Sequence, residues 1–231
     1  MYIGETGEKE GQMKVYYKQQ HDNSCGAACL LCAAIELGIT EIPESPHYML
    51  TLGGRALEAT TTCETALYQI ITGQGDNTRT ESWGYGMPSG IVRCARYLGL
   101  DVTVYGFNTW TIKGLSQSYA QELQAIQDLG VLLRVDAPRT NLTLQPDERE
   151  LRVLLGRSLC PPTIGALHYV MVRDDGSTME PGYGEEHPSV ELAKKRIAMH
   201  GTGLSIVVSK RGATQSSSSS SSVQSLYAPS V

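Results

Sequence analysis

The chain has 231 residues, a formal net charge of −5 at pH 7 and 41% hydrophobic residues. This length supports one domain with a substantial core, and the mildly acidic charge gives no electrostatic basis for binding nucleic acid. There is no apolar run of membrane-spanning length and no apolar signal core near the N-terminus, so we expect no membrane span and a cytoplasmic protein, or one exported by a signal-peptide-independent secretion system.

Hydrophobic periodicity and turn residues predict one folded domain between two unstructured ends. We expect residues 1–12 to be a flexible lead, residues 13–211 the domain, and residues 212–231, which include a run of serines at 216–222, a disordered tail. The predicted helices span residues 25–37, 61–72, 89–98, 117–129, 146–155 and 190–199. The predicted strands span residues 13–17, 102–107, 131–135, 163–172, 177–180 and 203–208. Helices come first and strands mostly follow, which predicts an α+β fold.

The first predicted helix begins at a cysteine. Asn23 and Ser24 are good N-cap residues, and no proline interrupts residues 25–37. Unpaired N–H groups at a helix N-terminus carry partial positive charge, which stabilises a thiolate at Cys25. Gly26 has no side chain and would leave room for a substrate backbone beside the sulfur.

Two other residue types complete the parts of a cysteine nucleophile site. His168 lies in a run of strand character and would supply an imidazole to the thiol. One of the adjacent glutamines, Gln19 and Gln20, would donate its side-chain N–H to a developing oxyanion, together with the backbone N–H of Cys25. His21, four residues before the cysteine, is expected on the entry loop rather than as the base.

The remaining cysteines favour a reduced protein without a metal or cofactor. Cys29 and Cys32 lie on one face of the predicted helix among alanines and leucines, where buried thiols are expected. They form a single C-x-x-C, but there is no second C-x-x-C and no spaced histidine pair to complete a zinc site. Residues 73–86 are the longest irregular stretch, and are expected to be either a surface loop or a loop over the cleft.

Two sequence blocks carry a family resemblance. Residues 24–30, SCGAACL, resemble the nucleophile motif Q-x(4–5)-[DS]-C-G-x-A-[AC]-L of the C39 and C39-like peptidases, the bacteriocin-leader or double-glycine branch of the papain-like cysteine peptidases. Residues 168–172, HYVMV, resemble the histidine block H-[YWF]-V-V-V of the same family. Residues 178–184, TMEPGYG, stand where the family has x-M-D-P-x-x-G. The resemblance covers roughly residues 12–185.

This resemblance implies a fold and the roles of several residues. The fold would be papain-like, with the N-terminal cysteine helix packed on an antiparallel sheet that carries the histidine. The family spacing selects Gln19 as the oxyanion glutamine, although a shift to Gln20 stays open. Glu180 would orient the histidine in place of the usual aspartate, with Asp174 and Asp175 as alternatives.

The sequence therefore predicts a stand-alone cysteine peptidase that hydrolyses a peptide bond in a peptide or protein substrate. A free-standing processing peptidase and a bacterial effector protease would both fit. Two alternatives remain open: a glutamine deamidase or acyl transferase effector that uses the same thiol site, and a non-catalytic peptide-binding domain. The oligomeric state is left open.

Overall fold

The computed structural model describes residues 13–44, 53–74, 79–107, 120–135, 142–156 and 167–212. The predicted lead and nearly all of the predicted tail lie outside the described residues, as do parts of the predicted elements at 117–129 and 163–172. In the described chain the helices are α1 (Cys25–Glu36), α2 (Thr61–Thr72), α3 (Pro88–Tyr97), α4 (Ala120–Asp128) and α5 (Val190–Arg196), with a short 3-10 turn at Thr80–Ser82.

The strands form one two-stranded and one seven-stranded sheet in the described chain. They are β1 (Glu41–Ile42), β2 (Arg55–Ala56), β3 (Leu100–Phe107), β4 (Leu132–Val135), β5 (Glu148–Gly156), β6 (Leu167–Val172), β7 (Thr178–Glu180), β8 (Glu185–His187) and β9 (Met199–Lys210). The large sheet has the order β4-β3-β9-β5-β6-β7-β8, and every neighbouring pair is antiparallel except β3 with β4. The predicted α+β class is confirmed.

Helix α1 is the centre of the main hydrophobic core. All but one of its residues are buried, because it packs against α2, α3 and strand β6. A Cβ at Gly26 would lie 2.7 Å from Ile91 Cδ1 and 3.2 Å from Tyr169 Cδ2. The expectation that Gly26 leaves room for substrate is therefore wrong, since core side chains from α3 and β6 fill that space and the glycine permits close packing.

A buried ion cluster fixes the other end of α1. The carboxylate of Glu36 pairs with Arg149 Nε of β5 at 2.7 Å and with Arg173 Nη2 at 2.7 Å. It also accepts the backbone N–H of Val15 at 2.9 Å, and Arg173 donates to the carbonyl of Val15 at 3.0 Å. The cluster therefore ties the chain before α1, the end of α1 and the sheet together.

Two sequence predictions of secondary structure are wrong. The helix predicted at residues 146–155 is strand β5, which is paired on both sides by β6 and β9. Residues 13–17, predicted to be a strand, pair with no strand of the described chain. The side chains of Glu36 and Arg173 bind the backbone of Val15 instead. In addition, α5 ends at Arg196, and Met199, predicted to be helical, begins β9.

Candidate active site

Cys25 is the first residue of α1, as predicted, and its side chain is almost fully buried. Ser24 occupies the N-cap position, but its side chain makes no capping bond to the helix. Its hydroxyl instead lies within hydrogen-bond distance of the carbonyl of His21 and of Glu64 Oε1. The predicted N-cap position of Ser24 is therefore confirmed, but it makes no capping bond, and this side chain does not compete for the N–H groups at the start of the helix.

The structure brings His168 into contact with both Cys25 and Glu180. The Nε2 atom of His168 lies 2.7 Å from Glu180 Oε1, which leaves Nδ1 for the thiol of Cys25. Burial disfavours the charged imidazole, but hydrogen bonds with Cys25 and Glu180 outweigh it and raise the pKa of His168 to about 10. The arrangement therefore favours the charged imidazolium form of His168 beside Cys25.

Glu180 is held rigidly in the position that the sequence predicted for the orienting residue. Its side chain is buried, and it accepts the backbone N–H of Gly182 at 2.8 Å and of Tyr183 at 2.9 Å. Burial would raise the pKa of Glu180, but the hydrogen bonds with His168 and with these two amides lower it below its usual value. Glu180 therefore faces the imidazole as a carboxylate.

The turn after Glu180 also holds Gln19. The backbone N–H of Gln19 donates to the carbonyl of Pro181 at 2.8 Å. Gly184, in the left-handed region at φ +71°, comes so close to Lys18 that a Cβ would lie 3.0 Å from Lys18 Cβ and 3.1 Å from its backbone nitrogen. Residues 181–184, here called the Pro181–Gly184 turn, therefore join the orienting carboxylate to the glutamine through the main chain.

The side chain of Gln19 points inward, whereas that of Gln20 is exposed. Gln19 Nε2 lies 2.8 Å from the carbonyl of His21 and 3.1 Å from that of Asp22, and its buried Oε1 has no hydrogen-bond partner among the described residues. Gln20 Nε2 donates to the carbonyl of Lys18 at 2.6 Å. This geometry favours Gln19 over Gln20 as the glutamine of the site.

The other polar residues considered from the sequence have different partners. His21 Nε2 lies 2.8 Å from Thr65 Oγ1, and its ring stacks on Tyr68 at 5.9 Å between centroids. Asp175 forms a salt bridge with Lys14 at 2.8 Å, and Asp174 lies 3.9 Å from Arg149. Neither aspartate takes the place of Glu180 beside the histidine.

Tyrosines anchor the described part of the irregular segment at 73–86. Tyr68 of α2 donates to the carbonyl of Gly84, and Tyr169 of β6 donates to that of Gly86 at 2.8 Å. Trp83 is buried with its ring 5.1 Å from that of Tyr68. The described part of this segment is thus bound to α2 and β6, which both pack against α1.

The described cysteines other than Cys25 have the properties of core residues. The five cysteines of the described chain are free. Burial raises the pKa of the Cys29 and Cys94 thiols and raises that of Cys32 to about 12. Within the described residues there is no group of three or more metal-binding side chains, and no helix there is long and apolar enough to cross a membrane.

Sequence reasoning missed one polar residue beside the site. Glu64 of α2 is fully buried and accepts hydrogen bonds from the segment that leads to Cys25. A single glutamate in an amphipathic helix gives no sequence signal for such a role, since its partners lie about 40 residues earlier in the chain.

Comparison with known proteins agrees with this site. A family model described as Invasion plasmid antigen J, cysteine protease, matches residues 17–211, a range that includes every residue of the site. The cysteine protease IpaJ of Shigella flexneri is 32% identical over 204 residues, which cover 83% of this chain and 76% of that relative. No solved structure matches the chain. The chain therefore belongs to the Invasion plasmid antigen J family of cysteine proteases and is a cysteine peptidase.

Proposed function

We propose that the chain hydrolyses a peptide bond of a protein substrate, with Cys25 as nucleophile, His168 as base and acid, and Glu180 as the orienting residue. The observation that carries this proposal is the position of His168, which bonds Cys25 on one side and Glu180 on the other, at the N-terminal end of α1. Helix and imidazolium both stabilise the thiolate, which is the attacking form of cysteine.

The reaction follows from these positions. The thiolate attacks the carbonyl carbon, and the carbonyl electron pair moves onto oxygen to give a tetrahedral oxyanion. The C–N bond then breaks as His168 passes its proton to the leaving amine, which leaves a thioester on Cys25. Water attacks the thioester while His168 takes a proton from it, and collapse releases the carboxylic acid and the free enzyme.

The backbone N–H of Cys25 and the side chain of Gln19 would bind the oxyanion. For this, Gln19 Nε2 would exchange one of its two carbonyl partners, on His21 or Asp22, for the substrate oxygen. The exchange is small, because the backbone of Gln19 stays fixed to Pro181. An oxyanion-hole donor typically contributes about 10²–10³ in kcat.

Several broader predictions from the sequence belong to the same proposal. A papain-like fold is supported by the packing of the cysteine helix against the strand that carries the histidine, and the C39-like motifs fit residues 19–30 and 168–184. One peptidase domain over residues 13–211 is supported by the family match over 17–211. A role as an exported bacterial effector would suit a family described as Invasion plasmid antigen J.

The first test combines alkylation with product analysis. The intact mass is measured after limiting iodoacetamide at near-neutral pH for wild type, Cys25→Ala and His168→Ala. We expect one fast adduct on Cys25 that slows sharply in His168→Ala. Slow labelling without preference would overturn the activated pair and favour a binding domain.

Product analysis then separates the reactions that share this thiol. A peptide library is treated with wild type and with Cys25→Ala and read by mass spectrometry. Hydrolysis gives new N-termini with wild type alone. A mass increase of about one unit without cleavage would instead indicate glutamine deamidation, and acylated amines would indicate transfer.

A further inference from the structure

The inference concerns the buried carboxylate of Glu64, which the proposed chemistry does not use. Glu64 is 0% exposed and lies in the first turn of α2. Among the described residues no lysine, arginine or histidine forms an ion pair with it. A buried carboxylate is costly unless hydrogen bonds satisfy it, so its donors identify what it stabilises.

Among the described residues, its donors come from residues 17–24, here called the entry segment, which leads into α1. Tyr17 Oη donates to Glu64 Oε2 at 2.7 Å, and the backbone N–H of Gln20 is 3.0 Å from both carboxylate oxygens. The hydroxyl of Ser24, the residue before Cys25, bonds Glu64 Oε1. Glu64 also lies in the first turn of α2, where the helix dipole favours a negative charge.

These contacts surround the glutamine of the site. The bonds of Glu64 to Gln20 and Ser24 hold both ends of residues 20–24, and Gln19 Nε2 lies against two carbonyls inside that stretch. From the other side, the Pro181 carbonyl holds the backbone of Gln19. The segment that carries the oxyanion donor is thus fixed by Glu64 on α2 and by the Pro181–Gly184 turn.

We propose that Glu64 is a positioning residue for the oxyanion hole, acting through the entry segment and not on the substrate or the thiol. The proposal rests on the proposed function, because it assigns Gln19 and the Cys25 amide to oxyanion binding. Glu64→Gln keeps the size of the side chain but removes its charge and one acceptor oxygen, so the hydroxyl of Tyr17 or Ser24 that meets the new NH₂ group must accept a hydrogen bond instead of donating one. Loss of the charged acceptor loosens the hold of α2 on the entry segment, and a displacement of about 1 Å can cost on the order of 10²-fold in rate.

The test exploits a difference between two reactions of Cys25. Alkylation by iodoacetamide needs the thiolate but forms no oxyanion, whereas peptide hydrolysis needs both. For Glu64→Gln we expect kcat for a cleaved peptide to fall by about 10- to 100-fold, KM to change by less than about threefold, and the alkylation rate to stay near that of wild type. Tyr17→Phe removes one donor and should give a smaller fall of the same kind.

The controls make each outcome decisive. Glu58→Gln removes the same charge from an exposed position just before α2 and should match wild type in both reactions. An unchanged kcat in Glu64→Gln, or a parallel fall in hydrolysis and alkylation, would overturn the positioning role. If Glu64→Gln does not fold, Tyr17→Phe decides by the same criteria. Slow alkylation of wild type would instead reject the proposed function itself.

Discussion

The carboxylate of Glu180 bonds the ring of His168 and is itself fixed by hydrogen bonds from its own turn. Glu180 accepts from His168 Nε2 at 2.7 Å and from the backbone amides of Gly182 and Tyr183, so its carboxylate has three fixed donors. The strand register places Met171 opposite Met179, so His168 and Glu180 lie on the same face of β6 and β7. The side chain of Glu180, longer than the aspartate usual at this position, is thus held by the backbone amides of the Pro181–Gly184 turn.

Glu180→Gln should lower kcat/KM for peptide hydrolysis by at least about tenfold, because it removes the negative charge that supports the imidazolium. Steady-state kinetics on a cleaved peptide measure this. Asp175→Asn is the matched control, since Asp175 pairs with Lys14 and should leave the rate unchanged. A larger effect in Asp175→Asn than in Glu180→Gln would mean that the orienting residue is assigned wrongly.

The raised pKa of His168 predicts a pH dependence of stability. The pKa of His168 rises from 6.5 to about 10 on folding, so its protonation adds to the free energy of unfolding. This contribution is complete below pH 6.5 and is lost as the pH rises through about 10. The difference in unfolding free energy between wild type and His168→Gln should therefore shrink from pH 6 to pH 10. Urea unfolding at pH 6, 8 and 10 measures it, and a pH-independent difference would contradict the pairing.

Native labelling should distinguish Cys25 from the cysteines behind it. Burial raises the pKa of Cys29, and of Cys32 to about 12, so neither thiol should react with iodoacetamide at neutral pH while the protein is folded. Peptide mapping after brief labelling checks this, and labelling in urea shows that both sites can react. Fast native labelling of Cys29 would show that α1 opens.

Gly184→Ala should impair catalysis as well as stability. At φ +71° any side chain is strained, and the new Cβ would also press on Lys18, next to Gln19. Gly176 is the matched control, with φ +82° and nothing within 4 Å of a Cβ. Both alanine variants should lose about 1–2 kcal/mol of stability. Only Gly184→Ala should lower kcat of the folded enzyme, and equal kcat values would disprove the coupling.

Glu36→Gln should destabilise the fold strongly, because Arg149 and Arg173 would lose their shared buried carboxylate and keep only the partly exposed Asp174 and Glu186 as acidic partners. Breaking a buried ion pair in this way costs about 3–5 kcal/mol. Glu191→Gln removes an exposed partner of Lys194 and should cost less than about 1 kcal/mol. Urea unfolding compares the two, and similar midpoints would show that the Glu36 cluster does not hold the sheet to α1.

Local patterns were sufficient for some elements and not for others. The bounds of α2 agree with the predicted residues 61–72, because capping by Thr60 and the apolar face are local properties. Strand β5 was predicted as a helix, since its leucines, arginines and glutamates are good helix formers. It pairs with β6, the next strand along the chain, and with the more distant β9, and pairing on both sides overrides that propensity.

The sequence by itself determined the composition of the proposed site. Its motifs named Cys25, His168 and Glu180, and the class of reaction followed from the chemistry of a thiol beside an imidazole. Only the tertiary structure decided how these groups are held. The entry segment is held by Glu64, about 40 residues later in the chain, and by the Pro181–Gly184 turn, about 160 residues later. Such contacts depend on how distant helices and strands pack together. Contacts between residues so far apart in the chain have no signature in the local sequence pattern.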